Sequence, residues 1–117
     1  MVEAMILPFP PTVNHYWERN RNGTLRVGKA GLAFRQEVAY RCRQERIKRL
    51  HGRLSVEVAA YPPDLRKRDL DNILKALLDA LKHGGAYEDD GQIDRLLVVR
   101  CGIIKRGQVT VRIEQLP

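Results

Sequence analysis

The spacing of apolar residues changes several times along this chain, and each change marks an element. Glu3 to Leu7 is a short apolar run stopped by Pro8-Phe9-Pro10-Pro11, which predicts an opening strand that neither continues nor becomes a helix. A rigid extended loop follows, turning at Asn22-Gly23. From about Lys29 to Leu50 the stripe Phe34, Val38 and Cys42, with Ala39, Ile47 and Leu50, has helical spacing. After His51-Gly52, residues Leu54, Val56, Val58 and Ala60 alternate with Ser55, Glu57 and Ala59, the period of a half-buried strand, and Pro62-Pro63 ends it. Leu70, Ile73, Leu74, Leu77, Leu78 and Leu81 recur every three or four residues, predicting an amphipathic helix from about Asp69 to His83 closed by Gly84-Gly85. Ile93 to Val99 and Val109 to Leu116 read as two strands joined as a hairpin through Lys105-Arg106-Gly107. The predicted fold is therefore α+β: a small mixed sheet in the order β-α-β-α-β-β with two main helices packed on it.

No repeat, linker or low-complexity segment interrupts residues 1–117, so one domain with one core is expected. The formal charge is +7 and the pI near 9.8, a surface that attracts polyanions, of which nucleic acid is the commonest. A membrane partner is not expected, because the most amphipathic helix is needed in the core. Cys42 and Cys101 are too few for a disulfide framework, and no apolar leader opens the chain, so a reduced, cytoplasmic protein is expected. His15, His51 and His83 lack zinc-ligand spacing to either cysteine, which leaves a hard, oxygen-bound cation as the expected metal.

Positive charge gathers in three places. The loop before the first helix carries Arg19, Arg21 and Arg26 beside Asn14, His15, Tyr16 and Trp17, a mixture suited to phosphate contact or base stacking, though the two aromatics serve equally well to pin the loop to the core. On the first helix, Arg35, Arg41, Arg43, Arg46, Lys48 and Arg49 outnumber Glu37 and Glu45. The third is Arg66-Lys67-Arg68, just ahead of Asp69 and Asp71.

Two residues apart within a helix point about 200° from each other at ~3.6 residues per turn. Asp69 and Asp71 could thus share a ligand only if Asp69 is the non-helical N-cap. Lys75, one turn beyond Asp71, would bring its ammonium to the edge of the pair. Taken alone, the same residues also read as an ordinary cap, a dipole-favoured first-turn acid and a surface ion pair. Glu88-Asp89-Asp90-Gly91 is a second acidic site, a cluster that is electrostatically costly in a basic protein unless a cation sits there. Three carboxylates amid cations are what a magnesium-dependent phosphodiesterase needs. A calcium loop starting at Asp69 fails, since Leu74 and Ala80 stand where glycine and glutamate are required, and there is no glycine-rich phosphate loop.

The basic run with Asp69-Leu70-Asp71-Asn72 and Lys75, then Asp89-Asp90-Gly91-Gln92-Ile93, with Leu7-Pro8-Phe9-Pro10-Pro11 and Asn14, resembles the RusA-type Holliday junction resolvases over nearly the whole chain. The resemblance implies a homodimeric structure-selective endodeoxyribonuclease acting on branched, four-way DNA with Mg²⁺, or Mn²⁺, and no small-molecule cofactor. It implies that Asp69, Asp71 and Asp90 are the catalytic, metal-holding aspartates and Lys75 the catalytic lysine, with Asp89 a weaker candidate. DNA phosphates would fall to Arg19, Arg21, Arg26, Arg35, Arg66, Lys67 and Arg68. The rivals are a binding module whose acids are only caps, and a metal nuclease for other branched DNA or RNA.

Overall fold

All 117 residues are described by the computed structural model. The alternation of Leu54, Val56, Val58 and Ala60 makes β4 (Leu54–Tyr61) the spine of a four-stranded sheet, its even-numbered side chains all buried. β6 (Gln108–Gln115) pairs antiparallel on one side of it, with Val58 opposite Val111. β5 (Ile93–Arg100) pairs in parallel on the other, and β1 (Val2–Leu7) lies antiparallel beyond β6, giving the order β1-β6-β4-β5. This mixed sheet with two main helices on it is the α+β architecture that the pattern predicts.

The last two strands do not form the expected hairpin, because β4 separates them. β5 follows β4 through a helical crossover, which leaves two consecutive strands parallel, and Val109, Val111 and Ile113 gain more burial beside β4 than beside the exposed edge strand β5. The connecting loop climbs over the end of β4, where the Cys101 N–H donates to the Ala60 carbonyl at 2.8 Å and the Ile104 N–H to Pro62 at 3.1 Å. It closes on Gly107, at φ 71° and so tight against Phe9 that an added Cβ would lie 2.8 Å from that ring's own Cβ.

Between Pro11 and Lys29, where the sequence suggests only a loop, a short helix α1 (Val13–Tyr16) runs into a small hairpin of β2 (Trp17–Arg19) and β3 (Leu25–Val27). α2 (Lys29–Gln44) stops short of Leu50 because Arg46 turns left-handed at φ 54°; Ile47 and Arg46 then donate back to the Cys42 and Arg43 carbonyls and close the last turn. The second main helix begins as a 3₁₀ turn, Leu70–Ile73, and becomes α3 (Leu74–His83). Gly85, at φ 88°, ends α3 by the same device, with Ala86 bonding back to Leu81.

Phe34, Val38 and Cys42 of α2 and Ile73, Ala76, Leu77, Ala80 and Leu81 of the second helical segment pack against one face of the sheet. The opposite face carries no helix. Ile6, Leu97 and Val99 stand exposed there around a groove of about 620 Å³, crossed by a ladder of Arg95, Glu57, Arg112 and Glu114.

Candidate active site

The chain leaves β4 through a basic loop whose shape is set by Asp64. Its carboxylate accepts from the Arg66 backbone N–H at 2.9 Å and from the Arg68 guanidinium at 2.7 Å. The Arg68 hydrogen bond, then that of Arg66, holds the Asp64 carboxyl below the usual range. Arg68 lies over the Phe9 ring, and Arg100 donates to the Arg68 carbonyl, so the loop is tied to both β1's exit and β5's end. A cleft of about 720 Å³ opens beside it, lined by Arg66, Lys67, Arg68, Asp69, Arg100 and Ile103 among others.

Asp69 caps the 3₁₀ turn in extended conformation, φ −83° and ψ 139°, as an N-cap must, yet its side chain accepts no capping hydrogen bond. Asp71 lies within the turn, and both side chains are exposed. Lys75 does not join them. Its ammonium pairs with Asp79, one turn further on, at 3.2 Å, and lies 5.7 Å from the centre of the Trp17 ring. Pairing four residues apart requires α-helical geometry, which Asp71 lacks in the 3₁₀ turn and Asp79 has in α3.

Asp79, which the sequence pattern does not single out, is the most connected acid of the site. It accepts from the buried Tyr16 hydroxyl at 2.8 Å, and Arg35 donates to that same hydroxyl at 2.8 Å while standing 3.9 Å from the Asp79 carboxylate. Burial and the Asp79 hydrogen bond push the Tyr16 hydroxyl's pKa up. The available signal was the four-residue spacing from Lys75, since the partner from α1 is not local.

At the other end of α3 the two neighbouring aspartates divide their work. Asp89 caps the turn Asp90–Gln92, accepting from the Gly91 N–H, while the Gln92 side chain returns a bond to the Asp89 N–H, and Lys82 pairs with Asp89 at 3.2 Å. The Lys82 bond holds the Asp89 carboxyl below the usual range. Asp90 has none of this. Its Oδ1 is buried without a hydrogen-bond partner, and burial first, then the charge of Asp79, pushes its carboxyl up.

The chain has seven aspartates. Asp64, Asp79, Asp89 and Asp94 are each in an ion pair; Asp69, Asp71 and Asp90 are in none, although 21 lysines and arginines are available. Unengaged carboxylate oxygens, one of them buried and orphaned, are the donor chemistry that suits a hard divalent cation. They do not stand together, however. Asp69 follows the end of β4 and Asp90 precedes the start of β5, which by the parallel register of Leu54 opposite Ile93 is the other end of the strand pair. No three acidic, histidine or cysteine side chains within one chain approach closely enough to hold a metal ion.

Comparison with known proteins bears on the family of the chain. The profile of the family Endodeoxyribonuclease RusA matches residues 8–114. The chain belongs to the RusA family. It is 40% identical over 112 residues to the crossover junction endodeoxyribonuclease rusA of Enterobacteria phage HK97, a span that covers 95% of this chain and 92% of the relative. To the crossover junction endodeoxyribonuclease RusA of Escherichia coli K12 it is 33% identical over 114 residues, or 97% and 94% of the two chains. A third relative, from Enterobacteria phage 82, is 33% identical over 111 residues.

In this RusA-family fold the basic residues expected to meet nucleic acid take unlike positions. Arg66 and Lys67 are exposed on the cleft, while Arg68 is turned inward onto Asp64. Arg19 and Arg26 brace the β2–β3 hairpin, Arg19 on the Gly23 carbonyl and Arg26 on Glu18, whereas Arg21 projects freely at its tip. Arg35 is directed inward at Tyr16. Tyr16 is buried in the core and Trp17 packs against it, the pinning alternative for these two aromatics. No helix is long and apolar enough to cross a membrane.

Proposed function

We propose that this chain is a crossover junction endodeoxyribonuclease, a resolvase that cuts four-way DNA in paired nicks with Mg²⁺, and that Asp69, Asp71, Lys75 and Asp90 carry the reaction. The observation that carries this reading is that the three aspartates assigned to the metal by resemblance are the three that form no ion pair. Surface acids go unpaired at little cost, as Glu3, Glu45 and Glu88 also do, so the weight falls on Asp90, whose buried Oδ1 without a hydrogen-bond partner is a cost that a bare binding module gains nothing by bearing.

Because the three do not meet within one chain, Asp69 with Asp71 would hold one divalent cation and Asp90 would serve a second. A bound Mg²⁺ supplies an activated water and neutralises charge developing on the scissile phosphate. Lys75 adds a fixed positive charge where phosphate oxygens gain negative charge in the transition state. Arg66 and Lys67, with Arg21 at the hairpin tip, contact phosphates on either side and set the register of the strand without selecting its sequence. The enzyme works as a homodimer, which supplies one site for each of two opposed strands. The bare sheet face with Ile6, Leu97 and Val99 supports this, because a second copy covering it would bury apolar surface now in water. An Ile6→Glu substitution should then leave the fold intact and shift the sedimentation coefficient to that of the monomer.

The direct experiment is incubation of the purified protein with a labelled synthetic four-way junction and with a duplex of the same arms, in Mg²⁺ or EDTA, followed by a denaturing gel. Symmetric nicks confined to the junction and to Mg²⁺ are expected. Binding without nicks in Mg²⁺ or Mn²⁺ would return the acids to the role of caps and turns.

A further inference from the structure

Lys75 has a task that an exposed lysine performs badly. Its side chain is 45% exposed, and a pair with an acid four residues away on an open helix face is too weak to hold so flexible a stem in one place. Here the acid is itself immobilised. Asp79 is only 16% exposed and accepts the Tyr16 hydroxyl at 2.8 Å; Tyr16 is fully buried, and its hydroxyl also receives Arg35 of α2 at 2.8 Å. The ammonium also lies over the Trp17 ring, 5.7 Å from its centre. Tyr16 of α1 and Arg35 of α2 thus converge on one carboxylate of α3, which also pairs with the ammonium of Lys75.

We propose that Asp79 is a positioning residue for the cleavage reaction, fixing the Lys75 ammonium through an anchor made by Tyr16 and Arg35. The proposal rests on the reading of Lys75 as part of the cleavage site. It gives a reason for a buried tyrosine immediately before the basic β2–β3 hairpin, and for an arginine of α2 turned inward where Arg43 of the same helix faces solvent. The alternative is that Asp79 only pins α1 to α3, in which case the lysine beside it is incidental.

The two are separated by a double-mutant cycle read as single-turnover cleavage of a four-way junction in Mg²⁺, with enzyme in excess. Asp79→Asn should slow cleavage about a hundredfold, the scale of an ångström-sized misplacement, with junction affinity unchanged. Lys75→Ala should slow it by a similar factor, and the double variant should be no slower than Lys75→Ala alone. Asp79→Glu, which keeps the charge, should recover part of the rate. Losses that multiply in the double variant, or Asp79→Asn cleaving at the wild-type rate, would overturn the proposal.

A second readout needs no cleavage. In protein carrying ¹³C-lysine, the Lys75 ε-methylene should be ordered in the wild type and mobile in both Asp79→Asn and the milder Tyr16→Phe; equal order in all three overturns the proposal even if activity falls. If Lys75→Ala itself cleaved normally, the assignment of Lys75 to the reaction would fail, and the relaxation data would still decide whether Asp79 positions it.

Discussion

At the start of the Leu70–His83 segment, Asp71 faces solvent with no partner; two turns later, on the same helical run, Asp79 is nearly buried and engaged by a lysine, a tyrosine and an arginine. The same contrast recurs at the segment's far end between Asp90, whose Oδ1 has no partner, and its neighbour Asp89, which caps a turn and pairs with Lys82. In each pair one carboxylate is spent on structure and the other is held in reserve. Leaving a partly buried acid such as Asp90 unpaired costs stability, which supports the proposal that this carboxylate serves to bind a cation.

The contrast can be broken most sharply at the unpaired acids. Asp71→Asn should lower junction cleavage about a thousandfold, the scale of losing a transition-state charge partner, while junction binding is kept or strengthened because a negative charge near phosphate is gone. Asp90→Asn should also abolish cleavage, yet raise the melting temperature of the protein in EDTA, since it removes a charge that burial disfavours. A melting temperature lowered by Asp90→Asn would mean that this carboxylate supports the fold after all.

The paired acids should respond in the opposite sense. Tyr16→Phe leaves Asp79 and Arg35 short of a hydrogen bond and should destabilise the protein by about 1–3 kcal/mol, read by urea denaturation. Asp89→Asn should lower the melting temperature slightly and leave cleavage intact, which would separate it from Asp90. The smallest effect concerns Asp64, whose carboxyl lies below its ordinary value chiefly through Arg68. Its contribution to stability is therefore present above the unfolded-state value of about 3.9 and lost as pH falls below it toward the depressed folded value. Asp64→Asn should flatten that acid limb of a melting-temperature profile, and an unchanged limb would remove Asp64 as its source.

The elements with a strong local period were legible in the sequence: the alternating strand Leu54–Tyr61 and the leucine stripe ending at Gly84-Gly85 form as their spacing predicts. Order among strands was not. Whether Ile93–Arg100 pairs with Gln108–Gln115 or with Leu54–Tyr61 depends on which partner buries more, and no residue in the loop between them records that choice. The end of α2 at Arg46, in a stretch without glycine or proline, is a backbone event that composition does not announce. The same division holds for the site. Asp69 with Asp71, and the cluster Glu88-Asp89-Asp90, stand out as acids in a basic chain, and only the family resemblance prefers Asp90 within that cluster, whereas Asp79 is ordinary in sequence and gains its surroundings from Tyr16 and Arg35, which only the tertiary fold brings to it.

The most direct test of the difference between reserved and structural acids is Mn²⁺ binding followed by electron paramagnetic resonance on seven single Asp→Asn variants without DNA. Loss of bound Mn²⁺ in the Asp69, Asp71 and Asp90 variants, with binding retained in those at Asp64, Asp79, Asp89 and Asp94, is the predicted result. Binding that survives in all of the first three, or that is lost with Asp79 or Asp89 as readily as with Asp71, would contradict the account.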